Sequence, residues 1–325
     1  MRQAFAFVFP GQGSQAVGML DAWGDHPVVA QTIHEASDAL GEDLGRLIHD
    51  GPKEALALTT NTQPVMLLAG VAAYRVWMAE TGLAPSVVAG HSLGEYSALV
   101  AAGALTLAQA MPLVRFRAQA MQEAVPVGAG AMAAILGLDA TKIVAICASS
   151  ICSAGRFGSE TDAQVVFETV AAANFNDPMQ TVIAGSKAAV DRACEALKAA
   201  GAKRTLLLPV SAPFHSVLMK PAADKLKAML ASIAFAAPLI PLINNIDVAA
   251  PSGPDAIRDA LYRQAFGPVR WVECVQAIKA RGVTILIECG PGKVLAGLVK
   301  RIDAGLVGHA VFDPSSLAEV KEILA

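Results

Sequence analysis

The chain has 325 residues, 54% of them hydrophobic and only 16% charged. At about 100–200 residues per domain that is two domains or one large one with an insertion, and so apolar a composition excludes a mostly disordered chain. Lys and Arg number 25 against 28 Asp and Glu, a formal net charge of −3 with no basic cluster longer than Lys203-Arg204 or Lys300-Arg301, which argues against a nucleic-acid binder.

In chain order, residues 4–9 form a short apolar, aromatic run stopped by Pro10-Gly11, which predicts a buried strand. The same run is too short for the apolar region of a signal peptide. Residues 14–47 carry a helical pattern with polar interruptions, and 63–80 a long apolar helix. Residues 86–89 predict a short strand, after which Ser92 opens a new helix. Thr106 with Gln109 predicts a capping box for a helix running to about Glu123. Strand, turn and helix repeated in this way predict a parallel sheet covered by helices.

The pattern changes at Val127-Gly128-Ala129-Gly130, a glycine-rich joint. Beyond it, residues 131–136, 165–172, 180–184 and 204–208 predict strands, and 139–148 and 187–200 helices. That is β-α-β-β-α-β, the ferredoxin-like order. Residues 149–164 are polar and rich in small side chains and predict a surface loop. After Pro213 come helices at 217–232, 255–264 and 270–281, a strand at 283–288, the turn Gly290-Pro291-Gly292, and a final helix.

The mean hydropathy of +0.48 raises the question of a membrane span. Two stretches, 96–114 and 228–246, carry no charge and reach the length of about 20 residues that a span requires. Gly103, Gln109 and Pro112 interrupt the first, and Pro238, Pro241, Asn244 and Asn245 the second, so both read as buried elements joined by turns. The five cysteines, at 147, 152, 194, 274 and 289, are an odd set with neither a CxxC pair nor a histidine at zinc spacing. A reduced, cytoplasmic chain without a bound metal is expected.

Gly90-His91-Ser92-Leu93-Gly94 is a G-x-S-x-G between a predicted strand and a predicted helix, the context of a nucleophile elbow. So tight a turn demands small neighbours and throws the serine Oγ clear of the sheet. It also aims the Leu93 N–H, at the helix start, towards a developing oxyanion. The competing reading is that Ser92 and Glu95 form an S-x-x-E capping box. A cap does not need the flanking glycines, which favours the nucleophile.

A serine nucleophile needs a base. His26, His34 and His49 lie in polar helical stretches, His309 is near the C-terminus, and His91 is adjacent to Ser92 on a turn whose neighbouring side chains diverge. His215 remains, after a strand end and held by Pro213, where α/β active sites lie; a satisfied core or capping histidine is the alternative. What orients it stays open between an acid such as Asp177 and a main-chain carbonyl.

Gly11-x-Gly13-x-x-Ala16 matches a loose dinucleotide fingerprint, but the required second strand is absent, since 31–40 is helical. A strand-end loop placing N–H groups and Gln12 beside Ser92 is the better use, with a plain glycine turn as its rival. Gly290-Pro291-Gly292-Lys293 lacks the Ser or Thr of a P-loop. Arg115 and Arg117 lie on an apolar helix, where a buried guanidinium needs an anion. Either both form structural ion pairs, or one awaits a substrate carboxylate.

Taken together, FVFPGQGSQ (7–15), NTQPVMLL (61–68), AGHSLGEYSALVAAG (89–103), RFRAQAMQEAVP (115–126), NFNDPMQTVIAG (174–185), AAGAKR (199–204), SAPFHSVLMKPAADKL (211–226), INNIDV (243–248), RQAFGPVRW (263–271) and ECGPGKVLAGLVKRI (288–302) resemble the malonyl-CoA:acyl-carrier-protein transacylases of type II fatty acid synthesis. The resemblance spans nearly the whole chain. It implies an α/β fold: an α/β-hydrolase-like large domain with a parallel sheet, over 1–127 and 210–325, and an inserted ferredoxin-like small domain, 128–209.

The resemblance further implies Ser92 as acylated nucleophile, His215 as its base, and Arg117 as the holder of the malonyl carboxylate. Gln12 and the Leu93 N–H fall at the oxyanion hole, and Gln63 beside the pocket. Gln264 falls where the family orients the histidine through a main-chain carbonyl, and Asn174 and Asn176 on the small-domain side of the cleft. Leu93 and Phe214 match malonyl-selective members. The partners implied are a coenzyme A thioester and phosphopantetheinylated acyl carrier protein, with no bound cofactor, no nucleic acid, no membrane and a monomeric chain. The same chemistry fits a stand-alone malonyl acyltransferase serving a polyketide synthase. A serine thioesterase or hydrolase shares the elbow, and a non-enzymatic module that binds acyl carriers is the remaining alternative.

Overall fold

The computed structural model describes residues 3–151 and 168–325. Among the described residues nine strands form two sheets: β1 (Phe5–Phe9), β2 (Val87–Gly90), β3 (Gly130–Leu136), β4 (Val170–Asp177), β5 (Gln180–Ser186), β6 (Arg204–Leu207), β7 (Leu242–Ile243), β8 (Ile285–Cys289) and β9 (Val307–Val311). The larger sheet is parallel throughout, in the order β7-β2-β1-β8-β9. A parallel sheet is stable only with both faces covered, so its strands are short and apolar.

The central strand β1 shows how the sequence achieves this. Its large residues Phe5, Phe7 and Phe9 face one side and its small ones, Ala6 and Val8, the other. The aromatic face meets the helix Thr59–Thr81, where Trp77 sits edge-on to Phe5 and Phe7 at centroid distances of 5.8 and 5.5 Å. The small face lets the helices Trp271–Ala280 and Val294–Ile302 approach with Trp271, Val275, Leu295 and Leu298.

The smaller sheet is antiparallel, in the order β4-β5-β3-β6. With the helices Ala140–Ser149 and Lys187–Ala199 it has the expected β-α-β-β-α-β order. One face packs on those two helices through Ile135, Ile143, Ile183, Val190 and Leu197. The other face contributes Met132, Ala134, Val182 and Ala184 to the main core. A backbone link from Phe175 N to Val269 O (2.9 Å) and from Val269 N to Ala173 O (2.8 Å) ties β4 to the chain beyond the helix Pro254–Gln264.

Several expectations need correction. The helix after Gly292 is not the last element: β9 and a helix Pro314–Leu324, capped by Asp313, follow it. β9 is a half-exposed edge strand, VGHAV, without the apolar run of a central strand. The two-residue β7 was too short to register as a strand. β4 extends through Asn174–Asp177, a mostly polar end whose two register shifts break the alternation of an ordinary strand. Of the loop expected at 149–164, Ser149 ends a helix and residues 152–164 lie outside the described residues. Both uncharged stretches divide, 96–114 between the helices Gly94–Ala101 and Leu107–Glu123 and 228–246 between the helix Lys220–Ser232 and β7. Among the described residues no helix is long and apolar enough to cross a membrane.

Replacing a fully buried aromatic residue on the central strand removes its transfer free energy and leaves a cavity. Phe7→Ala is expected to cost about 3–5 kcal/mol, read from the urea midpoint; a loss below about 1 kcal/mol would contradict this account of the core.

Candidate active site

The C-terminal ends of β1, β2 and β8 lie side by side, since Phe9 pairs with Gly90 and Val8 with Glu288. The segments that leave them meet at this edge, where open α/β sheets bind ligands. β2 ends at Gly90, the helix Gly94–Ala101 begins four residues later, and the turn between them places Ser92 at φ 53°. A residue with a side chain held there costs on the order of 1–3 kcal/mol and persists only where the surroundings over-determine it. The flanking glycines are obligatory. A Cβ on Gly90 would lie 1.9 Å from the carbonyl carbon of Gly94, and one on Gly94 2.0 Å from the oxygen of Phe9.

The capping-box reading of Ser92 and Glu95 is not what the chain builds. The helix has no side-chain cap. Ser92 N–H donates instead to Asn245 Oδ1 (2.7 Å), and Glu95 turns inward to accept from Asn245 N–H (2.9 Å) and Gln264 Nε2 (3.1 Å).

Ser92 Oγ lies 2.6 Å from His215 Nε2. The other ring nitrogen, Nδ1, lies 2.9 Å from Gln264 O and 3.1 Å from Gly267 O. Carbonyls only accept, so Nδ1 carries the proton and Nε2 is left as the acceptor for the serine hydroxyl. His215 itself sits at φ 59°, in a turn closed by Ser216 Oγ donating to Pro213 O (2.7 Å). Burial, and next the positive charge of Arg117, push its pKa down to about 3, against the pull of the Gln264 and Gly267 carbonyls. The imidazole is therefore neutral at physiological pH. Asp177, the candidate orienting acid, is engaged with Met179 N–H and Arg301.

The two arginines of the helix Leu107–Glu123 separate. Arg115 pairs with Glu42 and donates to Asn61 (2.9 Å), a structural ion pair. Arg117 is 2% exposed and donates to neutral oxygens, Gln63 Oε1 (2.6 Å), Gln264 Oε1 (3.2 Å) and Ser92 Oγ (3.3 Å). Its guanidinium lies over the Tyr96 ring, 5.4 Å from the centroid. Burial lowers its pKa, while Tyr96 and Glu95 act in the opposite direction. Among the described residues no carboxylate reaches ion-pair distance of it, and a buried cation so placed is costly until an anion arrives.

The remaining residues expected from sequence gather around this core. Gln12 donates to Thr59 Oγ1 (3.3 Å) and accepts from Gln63 Nε2 (3.4 Å). Its loop presses on the elbow at Gly11, where a Cβ would lie 2.7 Å from the His91 oxygen. Among the described residues the Leu93 N–H makes no hydrogen bond. Asn176 Oδ1 accepts from His91 Nε2 (2.8 Å), and Asn174 is buried on the same strand, bridged to Val269. The sequence marks Glu95 only as a capping residue and gives no role to Asn245, Tyr96 or Gly267; the signal for Asn245 is its presence, beside Asn244, in an otherwise apolar stretch. Among the described residues no group of three or more His, Cys, Asp or Glu could hold a metal ion.

The model of the acyl transferase domain family matches residues 6–303. A malonyl CoA-acyl carrier protein transacylase of Escherichia coli strain K12 is 53% identical over 320 residues, 98% of this chain and 99% of that protein. The crystal structure of an acyl-carrier-protein S-malonyltransferase from Burkholderia pseudomallei is 62% identical, with a TM-score of 0.92, covering 98% of this chain and 100% of that one. A malonyl-transacylase solved in complex with its type II polyketide-synthase acyl-carrier protein is 51% identical, with a TM-score of 0.92, covering 99% and 100%.

A histidine with its pKa this far down binds no proton where an unfolded one, near 6.5, does. The expected outcome is a His215 ring that stays neutral on lowering the pH to about 5, read from its imidazole NMR signals. A ring titrating between about pH 6 and 7 would contradict the burial and hydrogen bonding described.

Proposed function

The chain belongs to the acyl transferase domain family, and from that premise we propose that it transfers the malonyl group of malonyl-CoA to the phosphopantetheine thiol of acyl carrier protein through an ester on Ser92. The observation that carries this reading is Arg117, a buried guanidinium with no carboxylate at ion-pair distance among the described residues, 3.3 Å from the serine oxygen. An acyl group that ends in a carboxylate supplies the missing anion at the position where its thioester carbon meets Oγ.

In the first half-reaction Ser92 Oγ attacks the thioester carbonyl as its proton passes to His215 Nε2. The resulting imidazolium keeps its Nδ1–H on Gln264 O and Gly267 O, so no triad acid is required. The oxyanion faces the unengaged Leu93 N–H at the helix start and the Gln12 loop; a fixed donor of this kind is typically worth about 10²–10³ in rate. The C–S bond then breaks, and coenzyme A leaves as a thiol with the proton from His215. In the second half-reaction the carrier thiol gives its proton to His215 and attacks the Ser92 ester, returning the hydroxyl. This is ping-pong acyl transfer. A bound malonyl carboxylate also cancels part of the Arg117 field that depresses His215, so the correct substrate strengthens its own base.

Residues 1–127 and 210–325 are taken as the catalytic unit and 128–209 as a smaller unit flanking the cleft. The separate sheets and the His91–Asn176 contact support this division. Gln63 and Gln264 hold the guanidinium in register, and Asn174 and Asn176 line the opposite wall. The chain acts in the cytoplasm on soluble substrates, as a monomer and with no bound cofactor. A carrier protein of fatty acid synthesis is the acceptor. The complex of a similar transacylase with a polyketide carrier favours one second reading, service to a polyketide synthase by the same chemistry.

Intact mass after incubation with malonyl-CoA is expected to rise by one malonyl group in the wild type and not in Ser92→Ala; label persisting in Ser92→Ala would remove the nucleophile. Arg117→Ala is expected to lose about 10²–10³-fold in malonyl transfer, in line with the 2–5 kcal/mol of a truncated buried charge pair, while acetyl transfer falls much less. Equal loss of both would remove the carboxylate clamp. Free malonate outpacing malonyl-carrier formation would mark a thioesterase instead.

A further inference from the structure

We propose that Glu95 and Asn245 form a clamp that sets the geometry of the nucleophile, with Asn245 acting on the elbow directly and Glu95 acting through Asn245 and Gln264. Both are positioning residues, and the proposal rests on Ser92 being the acylated group.

The Ser92 and Glu95 spacing is that of an ordinary helix start, in which the glutamate reaches back to the serine N–H. Had the segment closed that way, the elbow would relax into a capped helix. Instead two distant amide side chains take polar groups of the bend. Asn245 Oδ1 takes the Ser92 N–H (2.7 Å), and Asn245 Nδ2 donates to Gly90 O (2.7 Å). Gln264 Nε2 donates to Ser92 O (2.9 Å). One carboxylate oxygen, Glu95 Oε2, orients both partners, accepting from Asn245 N (2.9 Å) and Gln264 Nε2 (3.1 Å).

Gln264 thus spends its two amide hydrogens on Ser92 O and Glu95, its Oε1 on Arg117 and its main-chain oxygen on His215. Nucleophile, base and guanidinium share one amide whose orientation a single carboxylate decides. Glu95, Asn245 and Gln264 are each at most 1% exposed, so water cannot stand in for a deleted partner. Burial raises the Glu95 pKa to about 7, opposed by the Asn245 and Gln264 N–H groups. In either protonation state one acceptor oxygen survives, so a glutamine can replace it.

The test is the single-turnover rate of Ser92 malonylation by malonyl-CoA on the full chain, with KM measured alongside. Asn245→Ala and Glu95→Ala are expected to slow acylation about 10–100-fold with KM changed less than about threefold. The double variant is expected to be no more than about threefold slower than the slower single one. Glu95→Gln is expected to stay within about fivefold of wild type. A rate within about threefold of wild type in either alanine variant overturns the proposal. So does a double variant slowed by the product of the two, or a Glu95→Gln as slow as Glu95→Ala. If Glu95→Ala does not fold, Glu95→Asp replaces it: drawing the oxygen back by a methylene should slow acylation at least about tenfold, and a wild-type rate overturns the clamp. Failure of the wild type itself to be acylated at Ser92, with Ser92→Ala as control, sinks the parent reading; normal acylation in wild type and variants alike sinks the clamp alone.

Discussion

A serine held at φ 53° between two glycines that touch neighbouring backbone is the constraint on which the molecule depends. So sharp a bend has no intrinsic stability. It exists because the parallel sheet fixes β1 and β2 in register on one side, and because side chains distant in sequence, Asn245 and Gln264, take polar groups that the turn leaves open. The alternation of large and small residues on β1 brings helices close on both faces. Asn245 beyond β7, Gln264 at the end of the helix Pro254–Gln264, and His215 in the turn before the helix Lys220–Ser232 converge on the end of β2. Chemistry at Ser92 Oγ is in this sense a product of the core.

The electrostatics follow from burial. His215 is oriented by two carbonyls rather than by an acid and stays neutral because the dry surroundings, and next Arg117, oppose its proton. Arg117 is enclosed among neutral acceptors, with Glu95 acting on it at longer range. The buried Arg117 cation, unfavourable in the free protein, is the charge that a dicarboxylic acyl group would relieve.

Much of this was readable from the chain because steric requirements leave a mark on residue choice. Gly90 and Gly94 announce the bend, Pro10-Gly11 the strand end, and Pro213 the turn before His215. What was not readable depends on partners far along the chain. Arg115 and Arg117 look alike on their helix, and only the approach of Glu42, 73 residues away, separates them. Glu95 carries the spacing of a capping residue, and its actual partners come from 150 and 169 residues away. β9 was hidden because an edge strand has no need of an apolar run, and the polar end of β4 because its bulges disturb the period.

The most direct test of the account is a crystal structure of the chain trapped as the malonyl ester of Ser92. The account predicts the malonyl carboxylate at about 3 Å from the Arg117 guanidinium nitrogens, in place of the serine oxygen, and the ester carbonyl oxygen at about 3 Å from the Leu93 N–H. A carboxylate turned to solvent, with Arg117 still bound only to Gln63 and Gln264, would contradict it.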